Sequence, residues 1–148
     1  MYEFLDYRVA DVMTKSPVTV TPDTPIAKAE ELLERHGWNA LPVVEGGSRL
    51  VGMVTSLDLL KAFRFTEDRL FPPYEEIMGR PVREVMTEKL TTVSPRTPLT
   101  RALEKMVKTR NKSLPVALGG ELHGILARED VLNALRRAVA GERPTTPI

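Results

Sequence analysis

Val9-Ala-Asp-Val-Met-Thr14 returns 73 positions later as Val82-Arg-Glu-Val-Met-Thr87. Working outward, Thr19-Val-Thr-Pro-Asp-Thr-Pro25 matches Thr92-Val-Ser-Pro-Arg-Thr-Pro98, and Leu41-Pro-Val43 matches Leu114-Pro-Val116. Gly46-Gly47 matches Gly119-Gly120. Skipping Arg49 restores the register, and Leu50, Gly52, Asp58 and Leu60 then fall on Leu122, Gly124, Asp130 and Leu132. Self-similarity that includes turns as well as apolar positions marks a duplicated structural unit.

Each copy reads as β-α-β-β-α. Residues 18–21 and 91–94 are β-branched runs stopped by Pro22 and Pro95, which predicts two brief strands. Thr24-Pro25 and Thr97-Pro98 predict helix starts, with a hydroxyl N-cap and Pro at the first helical position. Ile26, Ala29, Leu32 and Leu33 then recur at helical spacing, as do Leu99, Ala102, Leu103, Met106 and Val107. Gly37 predicts the end of the first helix. Gly46-Gly47-Ser48-Arg49 and Gly119-Gly120 predict hairpin turns, since paired glycines supply the positive φ that tight hairpins need. Last helices are expected from near Thr55 and Arg128. A unit of about 50 residues buries too little surface to be secure alone. The expectation is therefore a mixed α/β (α+β) fold, with two pseudo-twofold related motifs packed as one pair. The boundaries read as an N-terminal segment 1–8, a first motif 9–63, a linker 64–80, a second motif 81–138 and a flexible tail 139–148.

Composition excludes several classes. The 148 residues are 42% apolar and 28% charged, as in globular chains and unlike disordered ones. Twenty-one Lys and Arg against 20 Asp and Glu leave a net charge of +1, too little for binding nucleic acid through bulk charge. Without cysteine there is no disulfide framework, thiolate metal site or Cys nucleophile. No apolar run approaches a membrane span, and Met1-Tyr-Glu-Phe-Leu-Asp6 lacks a basic leader, so a cytoplasmic location is expected. Gln is absent, Pro numbers 12 and Arg outnumbers Lys, a bias shared by thermophile proteins and by GC-rich genomes. Every Phe and Tyr lies outside the regular units or at their edges. Tyr2, Phe4 and Tyr7 come first; Phe63, Phe65, Phe71 and Tyr74 flank the linker. They read as a local cap over the core, or as a satellite cluster or subunit interface.

Two tandem β-α-β-β-α units, each opening Val-Met-Thr and carrying Thr-Val-x-Pro-x-Thr-Pro, Leu-Pro-Val and Gly-x-x-x-x-x-Asp, resemble a pair of CBS (cystathionine β-synthase) domains, a Bateman module. The resemblance covers residues 8 to 138. Each motif alone is weak; their order, found twice, is specific. Segment 64–80 is longer than a minimal linker in such pairs. The resemblance implies a regulatory module, dimeric through its helices, that binds AMP, ADP, ATP, S-adenosylmethionine or a similar adenosyl ligand between the motifs.

In that family a Ser/Thr-x-x-Asp at the start of the last helix holds the ribose, and the opening strand of the other motif lines the base pocket. Carried over, the first site comprises Thr55 and Asp58, with Thr87, Leu90 and Thr92 toward the base and Lys112 toward phosphate. The second comprises Asp130, with Thr14, Pro17, Val18, Thr19 and Asn39 as its wall and Arg128 toward phosphate; here Ala127 replaces the hydroxyl. A carboxylate suits a cis-diol because it accepts both hydroxyl protons, and ionised acceptors make the stronger bonds.

Plainer roles compete. Thr55-x-x-Asp58 is also a helix start, with a capping hydroxyl and an acid in the first turn. Asp130 persists where the capping hydroxyl is gone, which favours a binding role. Lys112 and Arg110 read equally as solvated loop charges, Thr14 and Thr87 as turn ties, and Trp38 as cover for the core edge. Met13, Met86 and Met106 read as core fillers. His36 and His123 are not spaced as a metal pair, and neither glycine pair fits a phosphate-loop pattern. No nucleophile, acid–base pair or metal set stands together, so the chain is not expected to be an enzyme. The leading expectation is an adenosyl-ligand sensor acting on an unidentified protein partner, without nucleic acid or membrane. The alternative is a ligand-independent dimeric adaptor with a vestigial cleft.

Overall fold

The computed structural model describes residues 2–64 and 73–144. A 3-10 turn, Tyr2–Asp6, precedes α1 (Val9–Val12), β1 (Thr14–Lys15), α2 (Ile26–His36), β2 (Ala40–Glu45), β3 (Arg49–Thr55) and α3 (Ser56–Lys61). Then follow α4 (Tyr74–Met78), a second 3-10 turn at Val82–Glu84, α5 (Leu99–Thr109), β4 (Ser113–Leu118), β5 (Glu121–Ala127) and α6 (Arg128–Val139). The chain forms two compact units. A central unit runs from Val18 to Leu90, and a terminal unit combines the stretch up to Pro17 with everything from Thr91.

The central unit is built on an antiparallel hairpin, with β2 and β3 in register from Ala40 opposite Thr55 to Glu45 opposite Arg49. In the terminal unit β4 and β5 pair from Ser113 opposite Ala127 to Leu118 opposite Glu121, and β1 adds to the free side of β5. The duplication extends to irregularities: each hairpin shifts register just after its Leu-Pro-Val, between Val43 and Val44 and between Val116 and Ala117. Both turns carry two glycines with positive φ, Gly46 and Gly47 at 60° and 92°, Gly119 and Gly120 at 59° and 81°. The extra residue of the first copy lies in its turn, which spans residues 46–48 and leaves Arg49 paired in β3.

Helices α2 and α5 each bury one stripe. Ile26, Ala29 and Leu33 face the central core, and Leu99, Ala102 and Met106 the terminal core. Leu41, Val43 and Val54 complete the first, Leu114, Val116 and Leu126 the second. Gly37 ends α2 in the left-handed region at φ 63°; Arg110 takes the same conformation after α5 at φ 62°, where no glycine signalled it.

Two local expectations are corrected. The β-branched runs make single parallel bridges, not strands: Val20 pairs with Val43 and Val93 with Val116. Proline bounds each run and cannot donate to a ladder. Thr24 and Thr97 do not cap their helices. Their Oγ1 atoms accept from the N–H of Thr21 and Ser94, both at 3.0 Å, closing the preceding turn, and Pro25 and Pro98 take the N-cap position. At the start of the tail, Tyr7 Oη donates to the Glu142 carbonyl (3.1 Å), and Arg137 and Arg143 pair with Glu142 and Asp6.

The aromatics divide between the units. Phe4 and Tyr7 are buried in the terminal core, 6.2 Å apart, with Arg137 over the Tyr7 ring. Phe63 and Tyr74 stack on each other in the central unit at 5.8 Å. Phe65 and Phe71 lie outside the described residues. Trp38 is 39% exposed and stacks on His36 at 4.0 Å, so it does not close the core edge.

The opening segments exchange places. Met53 and Thr87 bond through both backbone groups, at 2.9 and 2.8 Å, which lays the second copy's Val-Met-Thr along the first copy's β3. Thr14 and Lys15 of the first copy lie against Ile125 and Gly124 of the second. Glycine makes both approaches feasible. A Cβ on Gly124 would stand 2.6 Å from the Thr14 carbonyl oxygen, and one on Gly52 2.9 Å from Met86 Sδ. That is the physical content of the first residue in Gly-x-x-x-x-x-Asp.

Candidate functional site

In the central unit, β3 delivers Thr55 to the N-terminus of α3, and a reciprocal cap follows. Thr55 Oγ1 accepts the Asp58 N–H at 3.2 Å, and Asp58 Oδ2 accepts the Thr55 N–H at 2.9 Å. The other carboxylate oxygen is also occupied. Asp58 Oδ1 accepts from Lys61 Nζ at 2.7 Å and from Thr87 Oγ1 at 2.9 Å. Asp58 is 2% exposed and is the one buried charged residue among those described. Thr87 reaches it because the Met53 bridge and the absent Gly52 side chain hold the opening segment of the other copy there. Leu90, half-buried, follows in the same segment.

The corresponding carboxylate in the terminal unit is differently placed. Asp130 Oδ2 accepts the Ala127 N–H at 2.8 Å, but Ala127 cannot return a hydroxyl. Asp130 Oδ1 has no bond to any described residue, and the side chain is half-buried. Burial pushes its carboxyl above the usual Asp range, against the bond from Ala127, and the neighbouring Glu129 charge adds to the rise. Thr14 is exposed and does not bond to Asp130 as Thr87 does to Asp58; Pro17 is half-buried.

Arg128 is committed elsewhere. Its guanidinium donates to the carbonyls of Arg110 (2.8 Å) and Asn111 (3.3 Å), closing the left-handed turn after α5, and its N–H donates to the Lys112 carbonyl at 3.1 Å. The exposed Lys112 side chain has no partner among the described residues. Thr92 offers its carbonyl to Lys105 Nζ at 3.1 Å.

Of the residues read from sequence, the central unit unites Thr55, Asp58, Thr87 and Leu90, and also contains Val18, Thr19 and Asn39. The terminal unit contains Thr14, Pro17, Thr92, Lys112, Arg128 and Asp130. Val18 is 40% exposed; Thr19 and Asn39 are half-buried. Sequence reading missed Lys61, whose signal was a cation three residues after Asp58, on the same helical face. Among the described residues no group of three or more His, Asp or Glu could hold a metal. No helix is long and apolar enough to cross a membrane, again among those residues.

This arrangement can accept hydrogen bonds from hydroxyls, above all at the open oxygen of Asp130. The Bacillus subtilis CBS domain-containing protein YhcV is 34% identical over 142 residues, spanning 93% of this chain and 92% of its own. The chain spans only 31% of the Methanocaldococcus jannaschii protein MJ1404, to which it is 30% identical over 139 residues. Among solved structures, CBSX2 in complex with AMP, a protein of Arabidopsis thaliana, superposes with a TM-score of 0.77 at 32% identity, over 90% of this chain and 98% of that one. The CBS domain pair of protein MJ0100, in complex with 5′-methylthioadenosine and S-adenosyl-L-methionine, gives 0.71 at 27% identity, over 87% and 99%. Residues 9–64 and 82–137 each match the CBS domain family, and with the hairpins, bulges and helix-start carboxylates duplicated in step, the chain belongs to that family as a tandem pair.

Proposed function

We propose that this chain is a regulatory sensor that binds an adenosine-containing ligand through its helix-start carboxylates, with Asp130 as the leading contact. The observation that carries the reading is the open Oδ1 of Asp130 beside an oxygen already oriented by the Ala127 N–H. A half-buried carboxylate with one lone-pair set unused, kept where no capping hydroxyl needs it, suits a ligand diol. AMP in CBSX2, and methylthioadenosine and S-adenosylmethionine in MJ0100, support the ligand class. AMP, ADP, ATP and S-adenosylmethionine are the candidates. The remaining contacts would come from Thr14, Pro17, Val18, Thr19 and Asn39, and at the other site from Thr87, Leu90, Thr92 and Lys112. The chain acts without catalysis, as a cytoplasmic homodimer that signals to a protein partner. Ligand shifts it only by differential affinity for two arrangements.

The test is calorimetry with the four ligands on protein stripped of endogenous ligand. At least one should bind saturably, and Asp130→Ala should weaken it about tenfold or more, since bonds to a charged acceptor are worth about 1.5–3 kcal/mol each. A ligand diol donates to the ionised carboxylate, so binding opposes protonation of Asp130. Affinity should hold at neutral pH and fall as pH drops through the raised Asp130 pKa. Asp130→Asn should lose that pH dependence. Absence of heat from all four ligands would sink the sensor reading in favour of the adaptor, to which the filled carboxylate of Asp58 already lends support.

A further inference from the structure

A cavity of about 400 Å³ opens in the central unit beside the Asp58 cluster. Ile26 and Val85 form apolar wall, while Lys61, Arg64, Arg80 and Glu84 supply the charge. Lys61 closes α3, Arg64 lies three residues beyond it, and Arg80 and Glu84 flank the opening of the second repeat. Three cations thus meet one carboxylate.

Two of the three cations already have carboxylate partners. Lys61 pairs with Asp58, and Arg80 reaches Glu76 only at 3.4 Å. The guanidinium of Arg64 and the carboxylate of Glu84 form no ion pair with any described residue, although both line the cavity. Converging cations repel, and a concave wall focuses their field toward an anion. Two guanidinium groups with an ammonium match phosphate oxygens, because the guanidinium fork can bind them two at a time. The volume lies within the range of small-molecule sites.

We propose that this cavity is an anion site for a di- or polyphosphate group, distinct from the ribose-type carboxylates and independent of the adenosyl reading. Lys61 links the two places. Its ammonium is the donor that an anion in the cavity and Asp58 Oδ1 would share.

Pyrophosphate is the probe, since it has neither base nor ribose and its binding stands apart from the success or failure of the adenosyl titrations. Calorimetry should show saturable binding. Arg64→Glu should weaken it at least tenfold, Arg80→Gln about threefold or more, and Arg64→Lys less than threefold. Arg64 is exposed and its side chain has no partner among the described residues, so its variants should melt at the wild-type temperature; Arg80→Gln provides a second readout. Arg101→Glu, at an exposed cation of α5 in the terminal unit, should bind like wild type. No saturable binding, or equal binding by wild type and Arg64→Glu, overturns the proposal. So does a loss confined to Arg101→Glu, which would place the phosphate elsewhere.

Discussion

Asp58→Ala should destabilise the protein by about 2–4 kcal/mol, measured as a shift of the urea midpoint at constant slope. The carboxylate is 2% exposed and accepts three donors: the Thr55 N–H, the Thr87 hydroxyl and the Lys61 ammonium. Alanine orphans all three. Loss of a helix cap alone costs about 0.5–2 kcal/mol, and each buried donor left unpaired about 1–3 kcal/mol. Water reaches Lys61, whose side chain is 41% exposed, so its share is the smallest. Asp130→Ala is the control. That carboxylate accepts one described bond, and its removal should cost about 1 kcal/mol. Equal losses in the two variants would overturn the reading that Asp58 is tied more tightly into the architecture than Asp130.

Gly124→Ala should be the most damaging single methyl in the terminal unit. The new Cβ would stand 2.6 Å from the backbone oxygen of Thr14, which cannot swing aside as a side chain does. Relief requires β1 to leave β5. Overpacking of this kind costs about 1–3 kcal/mol, and the amides of Thr14 and Lys15 should lose hydrogen-exchange protection before those of β4. Gly52→Ala meets first the Met86 sulfur, at 2.9 Å, on a flexible side chain, with the Thr87 carbonyl next at 3.1 Å. It should cost less. The reverse ranking would mean that close backbone approach is not what these glycines serve.

Much of the fold was legible because its signals are local. Paired glycines between Leu-Pro-Val and the following apolar stretch marked both hairpins, and apolar spacing marked α2 and α5. The misreadings share one cause: short-range chemistry with two outlets. A hydroxyl before proline can cap the coming helix or close the preceding turn, and Thr24 and Thr97 do the second. A β-branched run between prolines can extend or merely touch, and Val20 and Val93 merely touch. At the candidate site the Ser/Thr-x-x-Asp pattern located Asp58 and Asp130 but could not show that their environments differ. The difference lies in Lys61 and Thr87, and Thr87 comes to Asp58 from 29 residues away in sequence. Arg128 illustrates the same limit: its charge was evident, but the carbonyls it serves are set by a left-handed turn at Arg110 that carries no glycine.

The exchange of opening segments orders events during synthesis. As the chain leaves the ribosome, the central unit has all its parts once Leu90 has emerged, including the strand segment that covers β3. Residues 2–17 are made before the central unit and are satisfied after it. Leu99 N–H bonds to the Tyr7 carbonyl, and Val9 N–H to that of Thr97, so the N-terminal segment waits for the second repeat. Throughout that interval Phe4 and Tyr7, destined for the terminal core, have no finished surface to enter. Closing so long a loop is entropically costly before any contact compensates. The nascent chain therefore passes through a stage with its central unit folded and the aromatic segment before it exposed, the stage at which a chaperone or a second nascent copy would find it.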